Sequence, residues 1–149
     1  MGYRSAVAYT IRFECNKIDA TDEDREQCKD SFYTFLAEAK ANTKTALCFS
    51  EKQPINEHSP SGEGFYVDEE NMRIKFFANY VKWYPDYDDV KCHEALMDLS
   101  RDWEEDNDYI GGAYARIGEE SEDIEENWWG TGDSDWICVS RQIYADWLN

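Results

Sequence analysis

The sequence predicts an α+β fold, an antiparallel sheet of about five to six strands with two helices packed on one face. Three observations carry that reading. A two-residue alternation opens the chain, two runs of apolar positions at three- and four-residue spacing follow, and the remaining segments read as short strands, two of them joined as a hairpin. At 149 residues the chain fits a single domain, 1–149. A chain of that length buries roughly two-thirds of its unfolded surface and needs no covalent staple.

Residues 6–14 (AVAYTIRFE) place Val7, Tyr9, Ile11 and Phe13 on one face and Ala8, Thr10, Arg12 and Glu14 on the other, the signature of a half-buried strand. Thr21-Asp22-Glu23-Asp24 offers a capping oxygen and first-turn acids, and Cys28, Phe32, Phe35, Leu36 and Ala39 then recur at helical spacing to about Asn42. Residues 45–50 (TALCFS) read as a short apolar strand, followed at 53–64 by a Pro/Asn/Ser/Gly loop expected to be exposed and mobile. Gly64 to Asp68 and Met72 to Tyr84 form a hairpin around Asp68-Glu69-Glu70-Asn71. Pro85 and Asp86 end it, and Asp86 or Asp88 caps a second helix to about Glu105, with its acids turned outward. Ile110 to Gly118 and Trp136 to Tyr144 close the chain as strands, joined by an acidic connection from Glu119 to Asp135. Two helices set between hairpin-joined strands are compatible with the split βαβ, ferredoxin-like, arrangement.

The charge is unevenly spread. Of the net −18, a balance of −15 lies between Asp86 and Asp135, where 18 acids face only Lys91, Arg101 and Arg116, while residues 1–85 hold 14 acids and 11 bases. Like charge at this density stores repulsion that a cationic partner relieves. The same stretch carries Trp103, Tyr109, Tyr114, Trp128, Trp129 and Trp136, too much aromatic surface for a solvated tail, so it is expected to be folded with an acidic outer face. Such a surface repels DNA, RNA and anionic membranes; an electrostatic partner is basic.

Five cysteines, Cys15, Cys28, Cys48, Cys92 and Cys138, contain no C-x-x-C pair and suggest neither a disulfide framework nor a zinc site; they read as reduced, buried thiols. The opening residues have no signal-peptide character, no apolar run approaches the roughly 18 residues of a membrane helix, and Ala6 breaks the myristoylation pattern after Gly2, so a cytoplasmic protein is expected.

Motifs for chemistry are incomplete. His93-Glu94-Ala95-Leu96-Met97 lacks the second histidine of a zinc-protease helix, and Cys92-His93-Glu94 lacks the P-C-x-x-C of a deaminase. Asp102, Glu104, Asp106 and Asp108 alternate like calcium ligands, but neither register supplies Gly at the sixth position or Glu at the twelfth. Gly111-Gly112 and Gly130-Thr131-Gly132 are no phosphate cradle and read as a strand irregularity and a turn. His58 and His93 have no motif that positions a nucleophile. No metal or cofactor is expected, and the chain reads as a non-enzyme.

The remaining constellation runs from Glu119 to Gly130, where six carboxylates precede two adjacent tryptophans. In extended backbone neighbouring side chains point to opposite sides, so one indole is expected to be buried and the other exposed. An acidic rim around an aromatic anchor suits a protein interface, because aromatics dominate contact energy and carboxylates speed encounter with a basic surface.

The opening Met1-Gly2-Tyr3-Arg4-Ser5, with Ile117-Gly118-Glu119-Glu120 and Asp123-Ile124-Glu125-Glu126, resembles small acidic bacteriophage-encoded proteins over about a fifth of the chain. That resemblance implies an inhibitor of host or defence machinery, of the anti-CRISPR, anti-restriction or polymerase-inhibitor kind, some of which imitate the phosphates of DNA. It carries over no residue by motif, and the near-neutral first 85 residues depart from a wholly mimetic surface. The expected partner is a basic bacterial nuclease, CRISPR effector or polymerase. The residues expected to meet it are Asp102, Glu104, Glu105, Asp106, Asp108, Glu119, Glu120, Glu122, Asp123, Glu125, Glu126, Trp128 and Trp129. An assembly protein using Trp128, Trp129 and a sheet edge is the alternative, and a small metal-dependent enzyme the third.

Overall fold

The computed structural model describes residues 3–50, 64–120, 122–139, 143–145 and Trp147. The alternating segment becomes β1 (Ser5–Phe13), and the capped helical run becomes α1 (Asp22–Ala41). Thr21 and Asp24 exchange the reciprocal capping-box hydrogen bonds that their spacing predicts. A 3-10 helix (Ala46–Phe49) precedes the hairpin of β2 (Gly64–Asp68) and β3 (Arg73–Val81). Then come α2 (Asp88–Glu104), the antiparallel pair β4 (Ile110–Ile117) and β5 (Ile124–Gly130), and a small hairpin of β6 (Ile137–Val139) and β7 (Ile143–Ala145).

The main sheet is antiparallel, in the order β2-β3-β1-β4-β5. β1 and β2, joined through α1, therefore flank β3, and β3 and β4, joined through α2, flank β1. These are two interleaved split βαβ units, with β5 to β7 lying outside them. Both helices cover one face of the sheet. There Cys28, Phe32 and Phe35 of α1 and Val90, Leu96 and Met97 of α2 share a core with Val7, Tyr9, Ile11 and Phe13.

Five expectations need correction. β1 is central and buried on both faces, not half-buried, because β6 and β7 pack on its second face through Ile137 and Ala145 against Ala8, Ala113 and Ala115. Small side chains permit that close approach. Residues 45–50 are not a strand: the Thr45 hydroxyl donates to the Ala39 carbonyl and the Cys48 N–H to the Thr45 carbonyl, which curl the segment against the end of α1. Neither Asp86 nor Asp88 caps α2; Tyr87 is its N-cap and makes no side-chain cap bond. The acidic connection holds a full strand, β5, and the segment expected to be one strand from Trp136 is divided into β6 and β7. The loop at 53–64 lies outside the described residues except for Gly64.

Two glycines hold β4 and β5 together. A Cβ at Gly112 would lie 2.2 Å from the Trp129 ring, and Gly130 takes φ +59°, in the left-handed region that favours glycine. At the far side of the sheet β3 bulges opposite Ala6, where Tyr80 adopts φ 57°. That conformation is strained for a bulky side chain.

Candidate functional site

The register Gly111↔Gly130 to Ile117↔Ile124 sets the two acidic clusters at opposite ends of the β4–β5 ladder. Asp102, Glu105, Asp106 and Asp108 leave the C-terminal end of α2 and the turn into β4, all exposed, with Glu104 half-buried beside them. Asp133 and Asp135 follow β5 at that same end. Glu119, Glu120 and Glu122 form the tip of the hairpin at the other end, and Glu126 is exposed between the two. At about 3.3 Å per residue, the seven residues of β5 separate the clusters by roughly 20 Å. The residues therefore make a band along an outer strand, not one compact patch.

Not every predicted contact residue is free to act. Trp128 is 50% exposed, whereas Trp129 is 8% exposed and lies in the core. The Trp129 indole N–H donates to Ser100 Oγ at 2.9 Å, and the Arg101 guanidinium sits 4.1 Å from its ring centre. Direct contact through Trp129 is corrected accordingly; alternation gives the solvent-facing indole to Trp128. Asp123 and Glu125 both accept from Arg116. They form an internal clamp that fastens β4 to the hairpin tip. Asp102, Glu105, Asp106, Asp108, Glu120, Glu122 and Glu126 take part in no salt bridge among the described residues, and Glu119 accepts from the Arg4 backbone N–H at 2.6 Å.

Between α2 and this hairpin opens a cleft of about 500 Å³, whose walls include Tyr3, Trp83, Tyr84, Glu94, Asp98 and Tyr114. Burial, then the neighbouring charges of Asp98 and Glu125, raise the Glu94 pKa. Hydrogen bonds from Arg116 and then from the Tyr3 hydroxyl hold Asp123 below the ordinary carboxylate range. Burial works against the Arg116 charge, but the bonds and charges of Asp123 and Glu125 outweigh it and raise its pKa.

A second cluster lies inside the molecule. Cys48 of the 3-10 helix, Cys92 and His93 of α2 present ligand-type atoms within 4.8 Å of one another, all buried. The Tyr9 hydroxyl is 2.6 Å from His93 Nδ1 and Cys48 Sγ is 3.6 Å from it. Burial lowers the His93 pKa to about 3, so its ring is neutral. The sequence places Cys48 and Cys92 44 positions apart with no spacing motif, so only the fold brings them together. The free thiols are not uniformly buried: Cys28, Cys48 and Cys92 are, Cys15 is half-buried and Cys138 is exposed.

No helix among the described residues is long and apolar enough to cross a membrane. No known protein family, curated protein or solved structure matches the chain.

Proposed function

We propose that this protein is a non-enzymatic inhibitor of phage origin that acts in the host cytoplasm and binds the basic, nucleic-acid-binding surface of a bacterial defence or host protein. One observation carries the reading. Among the described residues, exposed carboxylates without salt bridges lie at both ends of β5 and at Glu126 within it, while two of the three bases in the same region, Arg101 and Arg116, pair with Asp98, Asp123 and Glu125. The band is charged and uncompensated, and its length of roughly 20 Å matches about six phosphate steps of one DNA strand. Carboxylates placed where phosphates belong exclude the true ligand by occupancy and attract the groove at long range.

The test is capture from bacterial lysate at low and at high salt, with bound proteins identified by mass spectrometry and duplex DNA added as competitor. The reading expects a nucleic-acid-binding protein that DNA and salt both displace. A partner held equally at high salt would overturn it.

A second reading rests on a different feature. Trp128, 50% exposed, and Ile124, 43% exposed, lie on the same face of β5 with Glu126 between them, so the charged strand also presents two apolar side chains. An assembly partner would use this pair and the open strand edge. A complex abolished by Trp128→Ala and indifferent to loss of the glutamates would favour assembly over mimicry.

A further inference from the structure

We propose that Cys48, Cys92 and His93 form a buried zinc site, with the Tyr9 hydroxyl as its fourth group. This inference is independent of the acidic band. The four side chains come from three elements, β1, the 3-10 helix and α2, and converge on one point of the core. Their chemistry selects the ion. Two thiolates and an imidazole suit zinc, whereas calcium and magnesium require several oxygen ligands and this cluster offers only the Tyr9 hydroxyl.

One edge of the cluster has the length of a tetrahedral site, and all three ligand atoms lie within 4.8 Å of one another. With Zn–S near 2.3 Å and Zn–N near 2.0–2.1 Å, adjacent sulfur and nitrogen corners stand about 3.6 Å apart. Cys48 Sγ and His93 Nδ1 are separated by 3.6 Å. The Tyr9 oxygen, 2.6 Å from the same nitrogen, must release it as the ion enters and is then beside the remaining corner. Each thiol gives up its proton to solvent on binding. Two thiolates and one divalent cation make a neutral unit, so the core gains no net charge.

Aromatic rings surround the imidazole. The His93 ring centre lies 4.3 Å from that of Phe76, 5.8 Å from Phe65 and 5.9 Å from Trp83. These rings fix the orientation of the imidazole, while Cys92 also borders a surface cleft beside Lys44 and Lys91. The binding energy of the ion adds to the folding energy. The ion would pin the 3-10 helix onto α2.

The test is the zinc content of the full chain after expression with added zinc and exchange into buffer containing a weak chelator. The inference expects about one ion per chain, lost in Cys48→Ala and in Cys92→Ser. Zinc at a hundredfold excess over its dissociation constant should raise the wild-type melting temperature by roughly 5–10 °C. Should either variant fail to fold, wild-type protein refolded with cobalt decides the matter: thiolate-to-cobalt charge-transfer absorption with tetrahedral visible bands supports the site. An octahedral, oxygen-ligated cobalt spectrum overturns it. So does zinc-free wild-type protein, zinc retained equally by both variants, or a native mass two hydrogens light from a Cys48–Cys92 disulfide.

Discussion

The two outer strands of the sheet solve the same problem in opposite ways. β2 at one edge is sealed: Phe65 is buried, and its ring meets Phe49 of the 3-10 helix edge-on at 5.2 Å. β5 at the other edge leaves six of its seven residues exposed and puts only Trp129 into the core. An uncovered strand edge invites pairing with other chains, and charge is a common defence against it. The glutamates of β5 meet that need, but the acids continue past both ends of the strand, where no edge requires protection. The comparison teaches that β5 is the exposed edge of the sheet and that Trp129 is the one β5 side chain anchored in the core.

The largest effect should come from breaking that anchor. Trp129→Ala is expected to cost about 3–5 kcal/mol, and Phe65→Ala on the sealed edge a similar amount, since each empties a core site. Trp128→Ala, one residue away, should change stability by less than about 0.5 kcal/mol. Urea denaturation of the three variants checks the contrast; equal losses at Trp128 and Trp129 would contradict the assigned faces. Gly112→Ala comes next, at about 1–3 kcal/mol, because its methyl would drive into the Trp129 ring.

A pH series sharpens the same comparison. Asp123 is held below its ordinary pKa by Arg116 and Tyr3, so its stabilising contribution is present above about pH 4 and lost as pH falls through the lower folded value. Glu94 is raised, chiefly by burial, so its ionisation opposes folding at neutral pH, and that opposition fades as pH falls through its folded pKa. Asp123→Asn should therefore weaken the protein at pH 7 and flatten the loss below about pH 4. Glu94→Gln should stabilise at pH 7 and leave strong acid unaffected. Denaturant midpoints at several pH values read both slopes.

The smallest effects concern strain and repulsion. Tyr80→Gly should stabilise by about 0.5–1 kcal/mol by relieving the positive φ in the β3 bulge, an effect seen in thermal melts. Exchanging Glu119, Glu120, Glu122 and Glu126 together for Gln should leave stability within about 0.5 kcal/mol while reducing partner capture at low salt.

Much of this arrangement was legible in the sequence because local chemistry and tertiary packing agree. The capping box at Thr21, the alternation of Val7 to Phe13 and the polar turn after Asp68 each specify their element without help. β5 was hidden because Glu125, Glu126 and Asn127 have low strand propensity; pairing with β4 and the burial of Trp129 override it. The inference that adjacent tryptophans part to opposite sides needed only extended backbone, and it held. Residues 45–50 deceived because an apolar run of four has no decisive period, and the turn is set by Thr45 reaching back to Ala39. The acidic band was legible as composition but not as shape, since the division of its two clusters by the length of β5 follows from register. The Cys48, Cys92 and His93 cluster left no signal, because its members meet only when the 3-10 helix docks on α2.

The central claim is that the band along β5 displaces nucleic acid from a basic protein. The most direct measurement is quantitative capture from bacterial lysate across a salt series, comparing wild-type chain, the four-glutamine variant at 119, 120, 122 and 126, and Trp128→Ala. The account predicts a nucleic-acid-binding protein whose retention by wild type falls steeply with salt and with added duplex DNA, and falls further in the glutamine variant than in Trp128→Ala. Retention that is indifferent to salt, to DNA and to the four glutamates would contradict it.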